Sequence, residues 1–274
     1  MAKQGTRLDL ALVERGLVES RSRARAMILA GDVLIGGQPV TQAGLPVTDL
    51  HVVELRQKPR FVSRGGDKID RALDEFGIDV EDKVVADLGA CTGGFTDAVL
   101  QRGARKVYAV DVGYGQLAFR LREDPRVVVM ERTNARYIES LPEPIDVVVI
   151  DVSFISLSHI FPVAVQILAP NGVCVPLIKP QFEAGKGEVG KGGVVKDPAI
   201  HRTVLRNVVE QARTSGFRCD GLSASPLVGP AGNHEFLGEF RRSGSGDGDG
   251  EQSGIDNMIH GALEQVRRQD SGET

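Results

Sequence analysis

The run Val84-Val85-Ala86-Asp87-Leu88-Gly89-Ala90-Cys91-Thr92-Gly93-Gly94-Phe95 feeds a short apolar strand into a glycine turn that opens a helix. Gly89 permits a tight turn, Gly93 and Gly94 let backbone approach a ligand, and the helix start offers unpaired N–H groups to something negative or polar. A dinucleotide site usually reads G-x-G-x-x-G; here the spacing is Gly89-x-x-x-Gly93-Gly94, with Asp87 two residues ahead. A carboxylate in that place suits an ammonium better than a pyrophosphate. About one βαβ unit later, Lys106-Val107-Tyr108-Ala109-Val110 ends on Asp111, where an acid accepts hydrogen bonds from both ribose hydroxyls. Asp111 marks nucleoside binding without choosing among cofactors, and the bland alternative for the turn is a plain strand-to-helix joint.

These residues need a scaffold that brings strand ends together. Val127–Met130 ends near Asn134, Asp146–Ile150 ends at Asp151, and Gly172–Ile178 ends at Lys179. Such apolar runs read as parallel strands buried on both faces. Helix-length stretches, Phe95–Arg102 and Ile155–Leu168, lie between them, so the alternation predicts an α/β, doubly wound sheet. Ligands sit beyond the carboxyl ends of such strands. Asp87, Asp111, Asn134, Asp151 and Lys179 all fall there, which packing alone does not explain.

The chain of 274 residues allows one large and one small domain, and 41% apolar with 26% charged residues describes a globular protein. No stretch approaches the roughly 20 consecutive apolar residues of a membrane helix, and the N-terminus lacks a signal-peptide core. Cys91, Cys174 and Cys219 form no C-x-x-C pair, and the histidines are scattered, so the expectation is a cytoplasmic protein without metal. Net charge is −4, but residues 1–60 hold nine Lys or Arg against six Asp or Glu. A polyanion partner would therefore meet the front end.

That front end reads as a small α/β module. Arg7–Gly16 suggests a short helix closed by glycine, and Ser20–Ala30 a second, capped by Ser20 or Ser22 and stopped at Gly31. Val33-Leu34-Ile35, a Gly36-Gly37 turn and Pro39-Val40 predict a hairpin. Arg21, Arg23 and Arg25 crowd the second helix, 21 and 25 on one face, spaced for successive phosphates; a solvated face beside Glu14 and Glu19 is the alternative. The expected organisation is a module over 6–56, a linker over 57–62, a large domain over 63–240, a glycine-rich tether over 241–254 and a terminal helix over 255–268 that docks on the large domain.

The glycine turn resembles the first motif of S-adenosylmethionine-dependent methyltransferases, and residues 6–56 resemble the αL-type RNA-binding module of a small-subunit ribosomal protein and of pseudouridine synthases. Taken together, Ser63-Arg64-x-x-x-Lys68, Asp87-x-Gly89-x-x-x-Gly93-Gly94-Phe95, Asp151-x-Ser153-Phe154, Lys179-Pro180-Gln181-Phe182-Glu183 and Gly229-Pro230-x-Gly232-Asn233-x-Glu235 resemble the TlyA family over residues 6–240. These are FtsJ-like ribosomal RNA 2′-O-methyltransferases, also labelled haemolysins. The resemblance implies a Rossmann-like class I methyltransferase sheet with a small N-terminal RNA-binding domain. It implies a catalytic tetrad of Lys68, Asp151, Lys179 and Glu235, with a plain salt-bridge network as the alternative. It implies S-adenosyl-L-methionine held by Ser63, Gly65, Gly89, Thr92, Gly93, Phe95, Asp111, Asn134 and Asp151; Asp87 and Gly94 of the same turn join that set, as does Phe154, whose ring could stack on adenine or simply fill core.

A ribose 2′-hydroxyl attacks a methyl sulfonium only as its proton leaves, and a neutral lysine amine can take that proton. Lys179 is the expected base, with Asp151 and Glu235 orienting the two amines. RNA contacts are expected from Arg7, Arg21, Arg23, Arg25, Arg64, Lys186 and Lys191, the last two in a glycine-rich, mobile loop. Family members place a tryptophan in the linker where this chain has Pro59-Arg60-Phe61, which puts coupling through the linker in doubt. By the resemblance, the substrate is cytidine in 16S or 23S ribosomal RNA, free or in subunits. Two other readings stand beside it. A membrane-lysing protein needs a membrane-active segment, for which the terminal helix is the candidate; a ribosome-binding factor without catalysis is at odds with an intact tetrad.

Overall fold

The computed structural model describes residues 5–56, 59–185, 187–243 and 252–272. The chain divides into two compact units, Met1–Pro59 and Arg60–Thr274. Lys186, Gln57, Lys58 and most of the tether lie outside the described residues.

In the first unit β1 (Thr6–Arg7) leads into α1 (Leu8–Glu14), followed by α2 (Arg21–Leu29), β2 (Val33–Ile35), β3 (Gln38–Val40), β4 (Pro46–Val47) and β5 (Val53–Leu55). Ser20 caps α2, its side chain accepting from the Arg23 N–H at 3.3 Å, and Gly31 beyond the end takes φ +75°. The expected hairpin is β2–β3; β5 pairs with the other edge of β2, and β1 pairs with β4. Leu8, Leu12, Ala24, Ile28, Val33 and Val47 are buried as its core.

The second unit runs α3 (Gly65–Glu75), β6 (Val84–Leu88), α4 (Gly94–Gln101), β7 (Lys106–Val110), α5 (Phe119–Arg122), β8 (Val127–Met130), β9 (Ile145–Ile150), α6 (Phe161–Ile167), β10 (Leu168–Ile178), α7 (Pro180–Glu183), α8 (Pro198–Thr214), β11 (Phe217–Ala224), β12 (Phe236–Arg242) and α9 (Gln252–Ser271). Its seven strands are ordered β11-β12-β10-β9-β6-β7-β8. The pairs from β8 to β10 are parallel, as the apolar runs predict, whereas β12 enters antiparallel between β10 and β11. The sheet is therefore mixed rather than wholly parallel.

Strand residues alternate between two cores. Val84, Ala86, Leu88, Val148 and Ile150 face α6, α8 and α9, while Val85, Val147 and Val149 face α3 and α4. Phe161 stands in the first core with ring centroids 5.8 Å from Phe217 and 5.4 Å from Phe240. Truncation to alanine there should cost about 3–5 kcal/mol, read as a lower chemical-denaturation midpoint.

The helix expected over Ile155–Leu168 starts later, at Phe161, after a 3-10 turn at Leu157–His159. Pro162 is the reason, since proline is tolerated only in a helix's first turn. The linker is shorter than expected. Phe61 is buried against Gly66, the Val62 N–H donates to Asp97 Oδ2 at 2.8 Å, and Arg60 pairs with Asp70, so residues 60–62 belong to the large unit. The terminal helix buries Ile259, Ala262 and Val266 in the main core. Its apolar face is thus occupied, and among the described residues no helix is long and apolar enough to cross a membrane.

Candidate active site

Sheet register accounts for three of the four tetrad residues. Asp151 follows the last residue of β9 and Lys179 the last of β10, its parallel neighbour, with Pro176 opposite Ile150. Ile178 pairs with Phe236 of antiparallel β12, so Glu235, one residue before that pair, arrives beside Lys179, one residue after it. Lys68 comes from α3 and pairs with Glu235; both side chains are nearly buried. Lys179 Nζ lies 2.6 Å from Asp151 Oδ1 and donates to the Val152 carbonyl at 3.0 Å and Ser153 Oγ at 2.9 Å. The tetrad is two ion pairs at one sheet edge, and the balance of charge makes their joint burial tolerable.

Placement of Lys68 depends on how α3 meets α4. A side chain at Gly94 would overlap Ser63 Oγ and crowd Gly65 and Gly66. Gly94→Ala should therefore push the start of α3 away, costing about 1–3 kcal/mol; methyl transfer should fall more than donor binding, a split that steady-state kinetics will read. Glu235 sits against Gly229, in a turn closed by the Gly229 N–H donating to the Asn233 carbonyl at 2.8 Å. Asn233 is buried, accepts from the Val195 N–H at 2.9 Å and donates to the Gly193 carbonyl at 2.9 Å. These bonds tie down the C-terminal end of the expected mobile loop; Lys191 is exposed on it, and Lys186 lies outside the described residues.

A cavity of about 490 Å³ adjoins Asp151. It is lined by Gly89, Asp111, Asn134, Asp151 and Phe154 among the expected residues, and also by Cys91, Val110, Val112, Gly113, Thr133 and Ile155, which the sequence reading missed. The missed residues lie within a few positions of the expected strand ends; the sequence signal for most of them was adjacency to Asp111 and Asn134, and the structure leaves Val112 69% exposed. Gly89 takes φ +95°, and a Cβ there would come 2.7 Å from the Asp151 carbonyl oxygen. Only glycine lets the turn cross β9 this closely. Asp111 accepts from the Cys91 N–H at 2.9 Å and the Gly113 N–H at 2.6 Å, which fixes its carboxylate and leaves each oxygen a lone pair. Asn134 Oδ1 accepts from the Arg136 N–H at 3.1 Å.

Other expected cofactor residues stand behind the cavity. Phe95 is buried, its ring against Gly65, and Ser63, Gly65 and Gly94 form the joint between α3 and α4; Gly93 packs instead against Leu117 and Leu121, and the carbonyl of exposed Thr92 accepts from the Ala118 N–H at 3.2 Å, so none of these lines the cavity. Asp87 is fully buried, and its Oδ2 accepts from both the N–H and the hydroxyl of Thr96, at 2.9 and 2.6 Å. Oδ1 has no partner. Burial pushes the carboxyl up to about 7; the Thr96 hydrogen bonds oppose the rise, and the charges of Asp151 and Asp111 add to it. Phe154 does not fill core. It is 90% exposed at φ +63°, its ring 5.0 Å from that of Phe182. Strained backbone of this kind concentrates at functional sites.

The cavity size, a carboxylate and an amide at successive strand ends, and an unpartnered buried carboxylate oxygen fit a nucleoside donor with a cationic amino-acid end. In the first unit Arg7, Arg21 and Arg25 gather on buried Asp9, not on Glu14 or Glu19, while Arg23 is exposed; in the second, Arg64 is exposed at the head of α3.

A Rossmann-like sheet with its seventh strand reversed and a ligand cavity at its carboxyl edge defines the class I methyltransferase architecture. Residues 61–242 match the model of the FtsJ-like methyltransferase family and residues 6–52 that of the S4 domain. The chain belongs to the FtsJ-like methyltransferase family. It is 48% identical over 236 residues to the 16S/23S rRNA (cytidine-2′-O)-methyltransferase TlyA of Mycobacterium tuberculosis, covering 84% of this chain and 88% of that one. It is 44% identical to Hemolysin A of Brachyspira hyodysenteriae, over 85% of this chain and 99% of that one. A solved structure of a hemolysin-named protein from Streptococcus thermophilus superposes with a TM-score of 0.73 at 40% identity, covering 98% of this chain and all of that one.

Proposed function

We propose that the chain transfers a methyl group from S-adenosylmethionine to the 2′-hydroxyl of a cytidine ribose in 16S or 23S ribosomal RNA, with Lys68, Asp151, Lys179 and Glu235 as the catalytic group. The observation that carries this reading is the strand register that sets the Lys179–Asp151 and Lys68–Glu235 pairs at the ends of adjacent strands, with Asp151 lining the cavity. The bound donor supplies an electrophilic methyl; the remaining requirements fall on the chain.

The Lys179 amine donates to two acceptors, the Val152 carbonyl and Ser153 Oγ, and forms an ion pair with Asp151 Oδ1. A neutral amine carries two N–H groups and one lone pair, so one contact must be given up before it accepts the hydroxyl proton. Ser153 is the contact that can be given up, because its hydroxyl can rotate to another partner and leave the lone pair open to the ribose proton. Asp151 then holds the amine, and the Lys68–Glu235 pair is assigned to orienting the ribose. Relatives named as rRNA methyltransferases support ribosomal RNA as the substrate, and the N-terminal S4 domain supplies a basic face for it.

Labelled donor incubated with intact subunits and with naked 16S and 23S RNA tests the proposal. The expected product is a 2′-O-methylcytidine in the nuclease digest. Label on a base, or none on any ribosomal particle or RNA, would sink it.

A further inference from the structure

In the N-terminal unit one carboxylate organises three arginines. Asp9 is fully buried in the first turn of α1. Arg7 reaches it through Nε at 3.0 Å and a terminal nitrogen at 3.2 Å, Arg21 through Nε at 2.9 Å, and Arg25 through Nε at 3.3 Å. The three arginine side chains remain 45%, 48% and 56% exposed, so each is anchored at one edge and open at the other. Chiefly the Arg7 hydrogen bonds hold the Asp9 carboxyl down at about 2, so it stays charged at any working pH. Gly44 leaves room for this arrangement, since a Cβ there would come 3.1 Å from an Arg7 terminal nitrogen.

A structural ion pair needs one arginine. Three on one carboxylate leave an excess of two positive charges, with outward N–H groups on α2 one turn apart. A free arginine loses rotamer entropy when it binds a phosphate; one already held at Nε has lost most of it in folding. We infer that Asp9 is a positioning residue, presetting Arg7, Arg21 and Arg25 to receive the phosphates of an RNA backbone. The inference rests on the RNA-methylation reading for the identity of the polyanion.

Binding of the full-length chain to deproteinised 16S and 23S RNA at two salt concentrations is the test. Asp9→Asn removes a negative charge, so attraction by net charge alone predicts tighter binding. Positioning predicts the reverse, a loss of about tenfold, with a shallower salt dependence as fewer phosphates are engaged. Glu14→Gln removes an equal, exposed charge from the same unit and should leave affinity unchanged or raised. Arg21→Lys keeps the charge but loses the Nε contact and planar fork, and should weaken binding several-fold. It decides the matter where Asp9→Asn fails to fold. Donor affinity and kcat should be unchanged in Glu14→Gln, whose lesion lies outside the large unit. Affinity for RNA at or above the parent's in Arg21→Lys, or in folded Asp9→Asn, overturns the inference. Absence of RNA binding in the parent chain would instead remove the RNA reading itself.

Discussion

Replacing Lys179 by arginine lowers methyl transfer to ribosomal RNA by about 10²–10⁴-fold, the usual worth of a positioned general base. Arginine keeps the positive charge beside Asp151 but does not lose its proton near neutrality. A lysine that served only as a cation, holding Asp151 or attracting a phosphate, would be replaced with little loss. A lysine that takes the hydroxyl proton would not. Lys179→Ala should fall equally far in kcat, and it leaves Asp151 without the partner now 2.6 Å away. Donor and RNA affinities should stay within a few-fold of the parent in the arginine variant, because the cavity lining does not include Lys179. Single-turnover transfer with labelled donor reads the rate and filter binding reads the affinity. A rate in Lys179→Arg within tenfold of the parent would remove Lys179 as the base.

What the sequence disclosed follows from burial. Strands β6, β7, β9 and the end of β10 are covered on both faces, so they stand out as unbroken apolar runs, and the polar residues that stop them mark the ligand edge. β11 and β12 carry Arg218, Asp220, Gly238, Glu239 and Arg241 within their spans and offer no such run. The reversed strand was therefore invisible, and with it the register that brings Glu235 to Lys179; only the family resemblance pointed to Glu235. Asp9 was hidden differently. An acid in a helix's first turn is ordinary electrostatics, and nothing local shows that guanidinium groups 12 and 16 residues further on will close over it. Phe95 and Phe154, both expected at the cofactor, part ways for a related reason. Phe95 follows the glycines yet turns inward onto α3, whereas Phe154 is turned out to solvent by a left-handed backbone that sequence periodicity does not encode.

Donor affinity should rise about tenfold between pH 6 and pH 8 in the parent protein and stay flat in Asp87→Asn. The cause is the buried Asp87 carboxyl, pushed up to about 7 by burial against an ordinary value of 3.8. An acid whose folded-state value lies above its unfolded one keeps its proton in the native protein while the unfolded chain loses it. Stability without donor therefore declines as pH climbs from about 4 to about 7, by an amount on the order of 4 kcal/mol, and levels off above. A cationic donor in the cavity that Asp111 and Asp151 line, two acids whose charges already act on Asp87, reverses this preference, because it favours the ionised form. If only that form binds, the competent fraction grows about tenfold across the window, and apparent affinity with it. The side-chain amide that Asp87→Asn introduces can still accept from Thr96 through its oxygen, so the fold should survive. Relieved of a buried charge, the variant should melt several degrees higher than the parent at pH 8 and lose more than half of that advantage by pH 5. Titration calorimetry with S-adenosylmethionine and thermal melts at the three pH values read both effects. A parent affinity independent of pH from 6 to 8 would mean that the Asp87 proton is not linked to the donor's charge.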